Sequence, residues 1–259
     1  MLIQRVVAPN PGPMTLTGTN SYLVGDGAGH LAVVDPGPDD PASHLAAILD
    51  AARPLGTITT VLVTHRHGDH LPAAVPLCER TGARLVGHAD LPGVQRPVGD
   101  DEVCFGPLRA LETPGHTRES LSFWDPTDGI LFTGDLVVGT GTVVVDDQPG
   151  ALTQYMASLE RLLALAPKTI YPGHGPLVED GVGKLREYID HRRQRLQQVL
   201  DALAARGPST VDELVATIYT GVAANLLAPA GRNVRANLEL LAAKAQVAPA
   251  AGQRWQLTR

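Results

Sequence analysis

Thr64-His65-Arg66-His67-Gly68-Asp69-His70 packs three histidines and one aspartate into its last six positions. It follows Ile58-Thr59-Thr60-Val61-Leu62-Val63, a β-branched, apolar run that reads as a buried strand. A tight loop at a strand end can turn such side chains toward a single point. Imidazole is the commonest nitrogen ligand for zinc-type ions, and a carboxylate is its natural companion. The segment reads as a metal site.

Four further positions repeat the arrangement of an apolar run followed by a polar residue. They are Asp35 after Leu31–Val34, His116 in Thr113-Pro114-Gly115-His116-Thr117, Asp135 in Thr133-Gly134-Asp135, and His174 in Pro172-Gly173-His174-Gly175. Glycines flank these residues where a bare backbone is needed. A lone histidine at such a junction is usually structural. In company with the 64–70 cluster, the four read as parts of one constellation. A P-loop, a GxGxxG fingerprint and a GxSxG elbow are all missing from the sequence.

The 259 residues suffice for one large domain, or one large and one small. With 44% hydrophobic and 19% charged residues, the chain can bury a sizeable core, which argues against disorder. Every long apolar run is broken by Gly, Pro or charge, so no membrane span is expected. The opening Met1–Val7 reads as a strand and not as a signal peptide. Cys78 and Cys104 form no CxxC pair and no disulfide framework, and the simplest reading is a reduced, cytoplasmic protein. Charge is unevenly spread: residues 1–183 carry 10 basic and 21 acidic side chains, residues 184–259 carry 11 and 6. That sign change suggests different partners for the two parts, and bound divalent cations would offset some of the acidic excess.

Strands are expected at Leu2–Val7, Asn20–Val24, Leu31–Val34, near Leu85, and at Leu108–Glu112, Ser120–Trp124, Ile130–Thr133 and Thr169–Tyr171. Helices are expected at Pro41–Ala52, Leu71–Arg80 and Gln154–Ala166. Asp39-Asp40 and Asp100-Asp101-Glu102 read as solvated turns. From Val182 an apolar stripe (Val182, Leu185, Ile189, Leu196, Val199, Leu203) marks one long helix ending at Gly207-Pro208. Thr210-Val211-Asp212-Glu213 is a capping box for a second helix, Asn233 is placed to cap a third, and Trp255 and Leu257 fit a closing hairpin. The expected division is a metal-binding domain over residues 1–180, then a linking helix and winged-helix-like module over 181–259.

The order His-x-His-x-Asp-His, then His, Asp and His, resembles the metallo-β-lactamase superfamily. What the resemblance implies is a four-layer αββα sandwich and a two-ion centre. One ion would be held by His65, His67 and His116, the other by Asp69, His70 and His174, with Asp135 bridging. Asp35 resembles the supporting first-motif aspartate, which is not a ligand. The cofactors expected are two divalent ions, read as zinc, with manganese or iron fitting the same N/O donors. Such a pair lowers the pKa of a shared water from 15.7 toward about 7, and Asp69 is the expected catalytic residue, orienting the resulting hydroxide. An ester, thioester, amide or phosphodiester would all fit.

Thr19-Asn20-Ser21-Tyr22-Leu23-Val24-Gly25, Gly139-Thr140-Gly141-Thr142, Ile170–Pro176 and His191-Arg192 are similar to the β-lactamase-like protein 2 group, which includes single-strand-specific endoribonucleases with a C-terminal winged helix. That resemblance implies Asn20, Thr140 and Thr142 near the substrate, and single-stranded RNA facing the basic end through Arg192, Arg193, Arg195, Arg232, Arg235 and Lys244. The alternative is a thioester hydrolase, of hydroxyacylglutathione or acyl-carrier type. A third reading is a non-catalytic winged-helix nucleic-acid-binding protein, against which the complete ligand set argues. His88 reads as a cleft or a surface residue, and Arg118 as an anion contact or a surface ion pair.

Overall fold

The computed structural model describes residues 1–40, 42–145, 148–221 and 227–258. A first sheet has the order β1 (Leu2–Val7), β2 (Asn20–Gly25), β3 (His30–Val34), β4 (Thr57–Leu62), β5 (Arg84–Gly87) and β6 (Arg96–Pro97). Strands β1 to β3 run antiparallel, and β3 to β6 run parallel. Parallel neighbours need a crossover. Helices α1 (Ala42–Ala52) and α2 (Ala74–Thr81) supply two of them. A second sheet has the order β11 (Thr169–Pro172), β10 (Ile130–Gly134), β9 (Leu121–Asp125), β8 (Leu108–Glu112) and β7 (Glu102–Phe105).

Side-chain alternation along the strands builds the layers. In β2 and β3, Tyr22, Val24, Ala32 and Val34 face the second sheet, where they meet Leu108, Ala110, Leu121, Phe123 and Phe132. Their neighbours Leu23, Leu31 and Val33 point the other way, onto Leu45 and Ile48 of α1 and Leu77 of α2. The outer face of the second sheet (Leu111, Trp124, Leu131) packs on α3 (Ala151–Ala164) and α4 (Gly181–Arg206). Both sheets are therefore sandwiched between helices, as expected. Each large side chain fully buried here contributes about 1.5–3 kcal/mol.

The core under α3 and α4 continues without a break into the C-terminal module. It takes in Leu214 and Val215 of α5 (Val211–Ile218), Val234 and Leu238 of α6 (Leu227–Ala243), and Val247 of β12 (Val247–Ala250). β12 pairs with β13 (Arg254–Leu257), forming the wing. The capping box is present, with Thr210 Oγ1 accepting from Glu213 N–H and Glu213 accepting from Thr210 N–H. Arg254 reaches both Glu213 oxygens at 2.9 and 3.0 Å, which straps the wing to the start of α5.

The Thr210 N–H and Arg254 hold the Glu213 carboxyl below its ordinary value of 4.5. A carboxyl depressed in the folded state stabilises it fully above the ordinary value, and this contribution fades as pH falls through the lowered one. Stability in urea should therefore fall as pH drops below about 4.5, and Glu213→Gln should lessen that fall. Thr210→Ala should cost about 1 kcal/mol in chemical denaturation.

Four elements differ from the sequence reading. α2 begins at Ala74 and not Leu71, because residues 67–71 close as a turn of their own, with His70 and Leu71 N–H both on His67 O. α3 starts a turn early at Ala151, behind Gly150, without the side-chain cap that would have marked it. Asn233 lies inside α6 and caps nothing; its carbonyl takes the Asn237 amide, and Pro229 is accommodated in the first turn. Glu102 opens β7 and is not part of a turn. Pro41, the expected first residue of α1, lies outside the described residues. Among the described residues no helix is long and apolar enough to cross a membrane.

Candidate metal centre

Strands β3, β4, β8, β10 and β11 all end at one edge of the sandwich. Backbone bonds lace their loops together there: Asp35 N–H to Leu62 O, Leu121 N–H to Thr64 O, Gly173 N–H to Gly134 O, and Asn20 N–H to Gly173 O, at 2.7 to 2.9 Å. The Tyr22 hydroxyl donates to Pro172 O at 2.7 Å, and its ring meets Phe132 and Tyr171 edge-on, so the two sheets are also joined just before His174.

Asp35 holds a left-handed backbone (φ 49°), a conformation aspartate tolerates better than most residues. From there its carboxylate accepts from Thr64 N–H (2.8 Å), Thr64 Oγ1–H (2.7 Å) and His70 Nδ1–H (2.9 Å). The Thr64 proton is thereby used, so its oxygen accepts from His65 Nδ1–H at 2.9 Å. His116 Nδ1–H donates to Val144 O at 2.8 Å and His174 Nδ1–H to Gly18 O at 3.3 Å. In their neutral forms these four imidazoles are thus fixed in one tautomer, each aiming a bare Nε2 at the centre.

Those nitrogens converge. His65 Nε2 and His116 Nε2 each lie 3.0 Å from His67 Nδ1, where one proton can serve only one of them. His70 Nε2 and His174 Nε2 face each other at 3.2 Å, and in their neutral form neither has a proton to give. Asp69 Oδ2 is 3.1 Å from His174 Nε2. Asp135 spans both groups, with Oδ2 3.7 Å from His116 Nε2 and Oδ1 3.4 and 3.3 Å from His70 and His174. Asp135 Oδ1 is buried without a properly directed hydrogen bond. Converging lone pairs and an orphaned carboxylate oxygen are what a cation satisfies, so the residues fit a metal.

Two donor groups result: His65, His67, His116 with Asp135, and Asp69, His70, His174. Asp35, His65 and His70 also lie close together, but the Asp35 carboxylate is fully engaged by Thr64 and His70 Nδ1, so it orients ligands and is not one. Burial, then the neighbouring imidazoles, push His65 well down; burial and His116 lower His67. In the other group burial acts the same way but loses. Asp135 and Asp35 raise His70 well above its ordinary value, and the carboxylates of Asp135 and Asp69 beside it lift His174 to about 9. Against burial, the His70 charge holds the Asp135 carboxyl well below its usual range.

Residues 14–102 and 90–174 match the family model described as the metallo-beta-lactamase superfamily, and residues 210–255 match the beta-lactamase associated winged helix domain. The chain belongs to the metallo-β-lactamase superfamily. It is a hydrolase of that superfamily, which binds divalent metal ions. A Drosophila melanogaster protein named beta-lactamase-like protein 2 homolog is 33% identical, covering 92% of this chain and 86% of its own. A superfamily protein from Thermus thermophilus superposes with a TM-score of 0.80 over 99% of this chain and 98% of its own; at 24% identity it speaks for the fold alone. The protein TTHA1623, solved in a di-iron-bound form, is 30% identical, with a TM-score of 0.56 over 69% of this chain and 96% of its own.

A cleft of about 460 Å³ opens over the centre, lined by His67, Asp69, His116, Asp135 and His174 together with Arg66, Thr117, Met14, Val144, Val145 and Arg232. Thr140 and Thr142 line an apolar annex that shares His116 and Asp135 with it. Asn20 differs from the expectation. It is 1% exposed, and its amide donates to Pro172 O and Gly175 O, both at 2.9 Å, so it braces the His174 loop and does not face substrate. Arg192 is also buried, not turned outward to nucleic acid. Arg193 pairs with Glu160, and Arg195 lies over the Tyr219 ring. His88 contacts Asp90, and neither it nor Arg118 is among the described residues lining the cleft. Arg66 stands between His65 and His67 in the sequence, and that position is the signal that could have found it. Nothing local marks Arg232 as a neighbour of the metal ligands.

Proposed function

We propose that this chain is a binuclear metal-dependent hydrolase that cleaves single-stranded RNA. The observation that carries the reading is Arg232. Helix α6 of the winged helix brings Arg232 to the lining of the cleft over the candidate metal ligands, where Arg66 stands as well. Guanidinium forks suit phosphate oxygens better than any other side chain. Arg66 is aimed by Glu119, a carboxylate 3% exposed that takes its Nη1–H at 3.1 Å.

The division of donors into two groups spanned by Asp135, and the likeness to a protein solved with two irons, support two ions. Zinc, manganese and iron all suit these N/O donors. When bound, such a pair supplies charge to polarise a scissile phosphate and a water acidic enough to attack at neutral pH. The protein's own part is positional. Asp69 borders the cleft and orients the nucleophile, while Arg66 and Arg232 hold flanking phosphates. Cys78 and Cys104, both buried and free, support a reducing, cytoplasmic setting.

Thioester hydrolysis is a second reading, favoured by the annex. Pro13, Met14, Leu16, Val138, Val143 and Val144 give it an apolar lining next to His116, suited to an acyl chain. Assaying metal-loaded protein side by side on single-stranded RNA and on an acyl-thioester separates the two. RNA cleavage alone is expected, and thioester cleavage alone would replace the first reading with the second.

Arg232→Ala should lower RNA cleavage and also slow a small phosphodiester, because Arg232 borders the metal ligands. Arg235→Ala with Lys244→Ala should weaken RNA binding and flatten its salt dependence by about one for each phosphate partner removed, leaving the small ester unchanged. Unaltered RNA affinity and salt slope in a variant carrying all three changes would mean that RNA binds elsewhere.

A further inference from the structure

The segment from Asp135 to Val145 joins the two donor groups, and helices outside the sheets hold it at three points. Tyr155 on α3 donates its hydroxyl to Leu136 O at 2.7 Å. The Tyr188 hydroxyl on α4 accepts from Val138 N–H at 3.0 Å. One turn further along α4, Arg192 Nη2 donates to Val143 O at 2.6 Å. The next carbonyl, Val144 O, is the one that takes His116 Nδ1–H. Peptide planes are rigid, so these two carbonyls are linked only through φ and ψ of Val144, a β-branched residue.

Arg192 is 5% exposed, with its guanidinium 5.0 Å from the Tyr155 ring centre. Packing alone does not account for it, because an apolar side chain would fill that space without the penalty of burying a permanent charge. Helix α4 also lies between the two segments that the family models match. Nothing in those matches gives the helix a part in the metal centre.

We infer that Arg192 is a positioning residue for the metal centre. By fixing Val143 O it fixes Val144 O, and through it the tautomer and aim of His116. Val144 O is the partner one bond behind His116, and losing such a partner typically costs about 10–100-fold in metal affinity, which sets the upper bound for a residue one step further back. The inference rests on the two-ion reading for one detail, that the loss falls on one ion and not both. α4 therefore ties the winged helix to the quality of a ligand more than seventy residues earlier in the chain.

Stepwise cobalt titration of the full-length protein, followed by absorbance and chelator competition, tests this. Arg192→Met keeps the length and can lie against Tyr155, but it donates nothing. Arg192→Lys keeps a charge and a donor on a shorter reach. In Arg192→Met the ion held with His116 should bind more weakly, by up to about 10-fold, while the ion at Asp69, His70 and His174 is unaffected. Arg192→Lys should fall between that variant and wild type. Unchanged affinity for both ions in a folded Arg192→Met protein, or equal weakening of both, would overturn the inference.

Should Arg192→Met fail to fold by circular dichroism, Arg192→Lys decides in the same way: selective weakening supports the role, and unchanged or equal affinities refute it. If wild type binds only one ion, the two-ion reading fails by itself. The affinity of that single ion in the variants, lowered or not, then decides for Arg192.

Discussion

Asp69→Ala should lower hydrolysis by about two to four orders of magnitude, the range set by removing a positioned acid–base group, while leaving the circular-dichroism spectrum of wild type. The two halves of the result have separate causes. Asp69 Oδ2 sits 3.1 Å from His174 Nε2, inside one donor group, and the side chain also borders the cleft, so its loss removes one member of that donor group and a carboxylate facing anything bound there. Its side chain is 27% exposed, and the lacing of strand ends runs through Asp35, Thr64, Gly134 and Gly173, so truncation leaves the scaffold intact. Steady-state kinetics and metal content on the same preparation separate the two effects. Wild-type turnover would mean that the nucleophile is generated without Asp69.

Gly173→Ala should remove metal binding and lower stability by about 1–3 kcal/mol, the usual cost of overpacking. A Cβ at this position would lie 2.6 Å from Asp135 Oδ1 and 2.7 Å from His70 Cε1, so the spanning carboxylate or a ligand ring has to move. The neighbouring control is Gly68, inside the histidine cluster itself, where a Cβ meets nothing within 4 Å. Gly68→Ala should therefore bind metal like wild type. Elemental analysis and urea denaturation of the pair check both statements, and equal metal content in the two variants would show that the close approach at Gly173 can relax.

The contrast between those glycines shows how far sequence reasoning reaches. Both flank residues of the cluster and look alike in the sequence; only the approach of the β11 loop to Asp135 leaves no room for a Cβ at one of them. The same holds for the arginines near the C-terminus, which the sequence presents as one basic surface. Packing divides them: Arg192 is buried against Tyr155, Arg193 is paired with Glu160, and Arg232 is delivered to the cleft.

The sequence by itself determined the candidate metal-binding cluster and the layers that carry it. Ligand chemistry belongs to residue type, so His65, His67, Asp69 and His70 after an apolar run announce a site without any fold. The alternation of Tyr22 and Val24 against Leu23 is likewise local, because successive strand side chains point to opposite faces. Tertiary structure alone decided which side chains surround that cluster. Asn20 is turned inward by the carbonyls of Pro172 and Gly175, some 150 residues away. Arg192 reaches His116 only through the Val143–Val144 backbone, and Arg232 reaches the cleft only because α6 packs into the core beneath α3 and α4. These contacts depend on how distant elements settle against one another, and no spacing within the chain encodes that.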